Sequence, residues 1–175
     1  MGRGSVMKRN FLKIWVVTIF CMSLGGLCFA HSMTSAEFVL GGIGFNCTMG
    51  YVQEIYGEPT SKEFFRGDGV RTVKYMYGDN FKIVGLEDIR YKGEEENMHV
   101  HTVVSRAGNL STPSGIAVGM KYSEVVGLFG LGKGITMYRP LDDCVYYAYV
   151  AGAEEMDIGV DSAGIIREII IGRDV

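Results

Sequence analysis

Residues 42–57 read Gly-Ile-Gly-Phe-Asn-Cys-Thr-Met-Gly-Tyr-Val-Gln-Glu-Ile-Tyr-Gly, and residues 115–130 read Gly-Ile-Ala-Val-Gly-Met-Lys-Tyr-Ser-Glu-Val-Val-Gly-Leu-Phe-Gly. At an offset of 73, Val52 falls on Val125, Ile55 on Leu128, Tyr56 on Phe129 and Gly57 on Gly130. Self-similarity at a fixed period marks a repeated supersecondary unit, so this alignment governs the reading of the whole chain. Val52, Ile55 and Tyr56 have the i, i+3, i+4 spacing of one helix face. Thr48 and Ser123 stand where N-terminal caps are expected. Gly57 and Gly130 stand where a helix closes through a residue of positive φ.

Working outward, each helix is followed by strand-like sequence. Val73-x-Tyr75-x-Tyr77 alternates, and Val145-x-Tyr147-x-Tyr149 does the same at an offset of 72. Further strands are expected over 81–86, 98–105, 156–160 and 165–171, with shorter ones over 63–66 and 135–139 directly after the helices. Gly67-Asp68-Gly69 and Gly78-Asp79-Asn80 supply hairpin turn chemistry. The expected fold class is α+β, with two tandem units over 31–106 and 107–175. Each is a helix plus four antiparallel strands, and the helices share one face of a common sheet. A unit of about 70 residues is marginal as an independent core, so the pair is read as one domain.

Upstream of the units the chain has a different character. Arg3, Lys8, Arg9 and Lys13 precede an apolar run over 14–24, and no acidic residue occurs before Glu37. Gly25 and Gly26 end the run, and Cys28-Phe29-Ala30 offers small residues at the cleavage positions. This is the pattern of a secretory signal peptide over 1–30, cleaved after Ala30. The start of translation is Met1 or Met7. If the leader stays uncleaved it is the chain's one contact with the membrane, although 11 apolar residues are short of the roughly 20 that span a bilayer. No small residue precedes Cys21 or Cys28, so a lipid anchor is not expected.

Composition and charge then narrow the function classes. Hydrophobic residues make up 47% and charged residues 21%, an ordinary globular balance, while 25 Gly against 3 Pro point to many turns. Of 17 Lys and Arg, four leave with the leader, so 13 remain against 20 Asp and Glu and the net charge moves from −3 to about −7. An acidic exported domain lacks the basic footprint of nucleic-acid binding. The expected localisation is secreted or periplasmic. In such a compartment Cys47 and Cys144 have the option of one disulfide.

Thr48-x-x-x-Val52-x-x-x-x-Gly57-x-Pro59 resembles the G-x-T-x-x-x-V-x-x-x-x-G-x-P pattern of the BamE/SmpA-like family, and Gly119 through Gly130 is the closer match. Two such units in tandem resemble the β-lactamase inhibitory protein (BLIP-like) architecture. That resemblance implies an eight-stranded concave sheet gripping a partner protein.

Candidate chemistry is sparse. No Gly-x-Ser-x-Gly elbow, P-loop, dinucleotide-binding glycine fingerprint or zinc-type Cys spacing is present. The chain is therefore expected to be no enzyme and to need no cofactor. His99 and His101 alternate on a strand and would share a face. With Glu94, Glu95, Glu96 and an N-terminal His31 they form the alternative reading, a copper or zinc site or a minor enzyme centre. Tyr75, Tyr77, Tyr147 and Tyr149 form a ladder on matching strands. Facing the open side of the sheet, the ladder is a row of amphipathic rings suited to binding another envelope or extracellular protein. Facing the helices, it is core. The leading expectation is an exported, non-enzymatic protein-binding module.

Overall fold

The computed structural model describes residues 31–67, 69–88, 93–133 and 141–173. The expected leader over 1–30 and the strand expected over 135–139 lie outside them. His31–Val175 is one compact unit.

Two helices of eight residues contribute to the core, together with residues of the loops and the small hairpin around them. Helix α1, Met49–Tyr56, begins at Thr48, whose extended backbone lets its side chain accept from the Tyr51 N–H at 3.2 Å. It closes at Gly57, φ 74°, whose N–H returns to the Gln53 carbonyl at 2.8 Å. Helix α2, Tyr122–Phe129, closes in the same manner at Gly130, φ 77°. Its start differs from the sequence expectation. Ser123 lies inside the helix, and the Glu124 carboxylate instead accepts the Lys121 N–H at 3.3 Å. The buried face of α1 is Met49 and Val52 with Tyr56 beside them, whereas Ile55 is 44% exposed. In α2 it is Tyr122 and Val125, and Leu128 is exposed.

Strands β1 (Val39–Leu40) and β2 (Ile43–Gly44) form a small hairpin ahead of α1. The remaining described strands are β3 (Ser61–Gly67), β4 (Val70–Tyr77), β5 (Phe81–Asp88), β6 (His99–Ser105), β7 (Val145–Ala151), β8 (Glu154–Val160) and β9 (Ile166–Arg173). They form one antiparallel sheet in the order β3-β4-β5-β6-β9-β8-β7. The join is β6 against β9, with Val103 opposite Ile171 and Val104 opposite Ile170.

This corrects the expected fold class. The described residues are mostly β, with a seven-stranded sheet, a two-stranded one and two helices of eight residues, rather than two tandem helix-plus-four-strand units. The physical reason lies in the punctuation. Each helical run is stopped by its glycine after about two turns, and the long alternating runs pair directly, so the ladder dominates.

Alternation then assigns side chains to the two faces. Val73, Tyr75, Ile83, Val103, Ile158, Ile169 and Ile171 are fully buried in the main core with Met49, Val52 and Val125 of the helices. Each such aliphatic contributes about 1.5–3 kcal/mol by leaving water. The opposite face holds a second, smaller cluster of Val104, Tyr146, Ile170 and Cys144, with Leu141 packed on it.

Candidate binding surface

Strand β3 is the outermost of the described strands at its end of the sheet, and all seven of its residues are exposed. An edge strand offers a row of unpaired backbone N–H and C=O groups, ready to pair with an incoming chain. β3 also carries two adjacent aromatics on opposite faces. Phe64 stands opposite Val73 and is 63% exposed, and Phe65 stands opposite Thr72 and is 55% exposed. Exposed large apolar groups at a sheet edge mark an interaction site more often than isolated ones do.

Charges flank the rings. Lys62 Nζ lies 3.1 Å from Glu95 and 3.4 Å from Glu58, and 5.0 Å from the centre of the Tyr75 ring. Lys74 pairs with Glu63 at 2.5 Å and stands 5.8 Å from the Phe65 ring centre. Arg71 is held by Glu87 and by the Gly93 carbonyl. Arg66 has no ion-pair partner among the described residues. Beside Phe64 a cavity of about 210 Å³ is bounded by Arg71, Thr72, Glu95 and Met98. A larger groove of about 640 Å³ lies between α2 and the β7–β8 end, lined by Tyr122, Val126, Leu131, Val145 and Tyr147.

The tyrosine ladder faces the helices. Tyr75 has no exposure and donates to Glu95, and Tyr149 is 6% exposed. Tyr77 and Tyr147 are half-buried against the same core. Tyr77 donates to the Gly57 carbonyl at 3.1 Å, and Tyr149 donates to the Gly130 carbonyl at 2.9 Å. The two hydroxyls therefore tie the ends of α1 and α2 to the sheet. Tyr147 stacks on Tyr122 with centroids 4.2 Å apart, and the Tyr122 and Tyr149 hydroxyls share a hydrogen bond at 3.0 Å. Burial raises the hydroxyl pKa of Tyr77 to about 12 and drives those of Tyr75 and Tyr149 higher still. These are packed phenols, occupied within the fold.

The histidines lie at an irregularity of the ladder that strict period-two alternation does not foresee. The β5–β6 register slips between Val84 and Gly85, so Val84 faces Thr102, Gly85 faces Val100, and His101 has no opposite number in β5. His99 is exposed and lies across from Thr48. The His31 backbone N–H is bonded to Leu128 in α2. Among the described residues, no three His, Cys, Asp or Glu side chains converge as metal ligands do. Cys47 and Cys144 are free thiols, Cys47 packed against the main core and Cys144 buried in the cluster on the other face, so the sheet separates them. Burial, with Asp143 alongside, raises the Cys144 pKa, the opposite of what a nucleophilic thiol needs.

The far face holds a polar constellation that sequence reading did not single out. Glu168 is fully buried and accepts from the Tyr146 hydroxyl at 2.6 Å and from Arg106 Nε at 2.8 Å. Asp157 lies nearby, 8% exposed. A Glu between a run of isoleucines gives no sign in one dimension of the Arg106 that neutralises it from 62 residues away.

No family model matches this sequence, and no curated protein does either. Three solved structures align with this chain. A cysteine-rich secretory protein from Staphylococcus aureus aligns at 12% identity over 82% of this chain and 49% of its own, with TM-score 0.51. An extracellular protein containing a SCP domain, from Bacillus anthracis, aligns at 15% identity over 82% of this chain and 46% of its own, with TM-score 0.50. A DUF4309 family protein from Bacillus subtilis aligns at 13% identity over 76% of this chain and 83% of its own, with TM-score 0.43. The chain spans about half the length of the first two. The first two of these folds replace the BamE/SmpA-like and BLIP-like resemblance, which rests on a short helix-and-glycine pattern alone.

Proposed function

We propose that the protein is an exported, non-enzymatic module that binds another extracellular or envelope protein, with the β3 edge as its contact surface. The carrying observation is that β3 is exposed at all seven positions and bears Phe64 and Phe65 side by side. A hydrophobic pair on a strand edge that is unpaired among the described residues is costly to keep unless it is covered in use. Export is supported by the leader-like sequence over 1–30 and by the secretory and extracellular character of the two proteins that share the fold at TM-scores of 0.50 and 0.51. The non-enzymatic reading is supported by the phenols committed to packing and by the buried, high-pKa Cys144 thiol.

The test is site-specific photocrosslinking in the producing cell, with the reactive side chain at position 65 or, as control, at the exposed turn residue Asp79. The expected result is one discrete adduct from position 65, lost when Phe64→Ser is added, and none from position 79. Equal labelling at both positions, or none at either, overturns the reading.

A further inference from the structure

We infer that β3 receives an extended segment of the partner as an added strand, and that this segment carries an acid-x-apolar pattern on one face. The inference rests on the protein-binding reading above and gives it a chemistry.

Side chains on β3 alternate, so an added strand lies along two different rows. Lys62, Phe64 and Arg66 share the face of Val73, while Ser61, Glu63 and Phe65 share the face of Thr72. On the first row Lys62 is already held by Glu58 and Glu95, whereas Arg66 is without an ion-pair partner among the described residues. The demand for a carboxylate is therefore local to Arg66. Two positions along on the same row, Phe64 borders the cavity of about 210 Å³, whose wall also includes Arg66 itself, Arg71, Glu95 and Met98. That space takes one large apolar side chain, the kind of anchor that dominates interface energies. An acid opposite Arg66 and an apolar anchor at Phe64 are two residues apart, the period of an extended strand.

A second copy of the chain is the poorer occupant. Antiparallel pairing about a two-fold axis through Phe64 overlaps all seven residues and sets Lys62 opposite Arg66 twice. Like charges directly opposite destabilise a ladder. Charges on an edge strand by themselves also serve as protection against aggregation. Two adjacent exposed phenyl rings beside a cavity do the reverse.

The probe is a synthetic peptide of about nine residues, within the usual strand length, with glutamate two places from leucine in an alternating threonine background. A second peptide has lysine for the glutamate. Both are added to the protein as the cell exports it, with amide exchange and affinity as readouts. The glutamate peptide is expected to slow exchange of the β3 amides about tenfold and to bind about tenfold tighter than the lysine peptide. Arg66→Glu, an exposed substitution that leaves the core intact, is expected to reverse that order. Equal binding of the two peptides, an order unchanged by Arg66→Glu, or protection confined to residues outside β3 overturns strand addition. So does β3 protection arising without peptide through self-association. If position 65 crosslinks a partner while the peptide leaves β3 unprotected, strand addition falls and protein binding stands; if crosslinking fails as well, both fall.

Discussion

The Tyr146 hydroxyl donates to Glu168 Oε2 at 2.6 Å, and neither side chain has any exposure to solvent. A carboxylate inside a sheet face is tolerated only when it is paired and hydrogen-bonded. Arg106 supplies the charge at 2.8 Å from the partly exposed rim of the sheet, and Tyr146 satisfies the second oxygen. The same Tyr hydroxyl accepts the Leu141 N–H at 3.2 Å, so one phenol fixes both β9 and the start of the segment that leads into β7.

Tyr146→Phe removes the donor and leaves Glu168 Oε2 and the Leu141 N–H without this partner. The expected loss is about 1–3 kcal/mol, the cost of an unsatisfied buried acceptor. Urea unfolding measures it. An unchanged midpoint would show that Glu168 is satisfied from elsewhere.

Gly159 is glycine because the Tyr146 ring crosses it on the way to Glu168. A Cβ there would lie 2.8 Å from Tyr146 Cε1 and 2.9 Å from Cζ, and a buried ring cannot swing aside. Gly159→Ala is expected to cost about 1–3 kcal/mol by overpacking. Gly127, on the exposed side of α2, meets nothing within 4 Å. Gly127→Ala is expected to stabilise by up to about 1 kcal/mol through helix propensity. Thermal unfolding of the pair checks the contrast, and a shared sign would reject it.

Caps separate the two helices in the same way. Thr48→Ala removes the acceptor for Tyr51 N–H and is expected to cost about 1 kcal/mol. Ser123→Ala changes an exposed residue inside the first turn of α2 and is expected to fall within about 0.5 kcal/mol of wild type. A cost at Ser123 equal to that at Thr48 would contradict the cap assignment drawn from Glu124.

Local signals in the sequence carried as far as local physics reaches. Thr48, Gly57 and Gly130 act through bonds that span a few residues, so their roles are legible from spacing. Val73-x-Tyr75-x-Tyr77 shows its period but not its direction, because either face of β4 satisfies alternation; only the packing of α1 settles that the rings are core. Ile55 has the spacing of the Val52 face yet is exposed, because in so short a helix the buried stripe runs through Met49, Val52 and Tyr56. The bulge at His101, invisible without the partner strand, interrupts the strict period of two on which the His99/His101 reading rests. The β3 surface was legible only as a short strand near 63–66. Its importance comes from being an edge, and edge position is a property of topology. The short glycine-closed motif carries no information about strand pairing, so the ladder order β3-β4-β5-β6-β9-β8-β7 overturns the family resemblance and the tandem plan together.

Asp157 gives the sheet face a pH dependence of definite sign. It is 8% exposed and its Oδ1 has no hydrogen-bond partner among the described residues. Burial first, then the charge of Glu155 and a hydrogen bond shared with it, and last the charge of Glu168, raise its pKa to about 8. Ala148 and Ile170 stand opposite it on β7 and β9 and offer no compensating charge. In the unfolded chain the group titrates near about 4. Between those values the folded state holds a proton that the unfolded state releases, so the unfolded state binds fewer protons and stability falls as pH rises. The contribution is complete below about pH 4, declines through the window up to about pH 8, and is flat beyond it. Asp157→Asn has no proton to release, so its stability relative to wild type is expected to grow across that window. Urea midpoints of both proteins at pH 5 and pH 8.5 measure the effect. Curves that shift in parallel would place the titration elsewhere and remove Asp157 as its source.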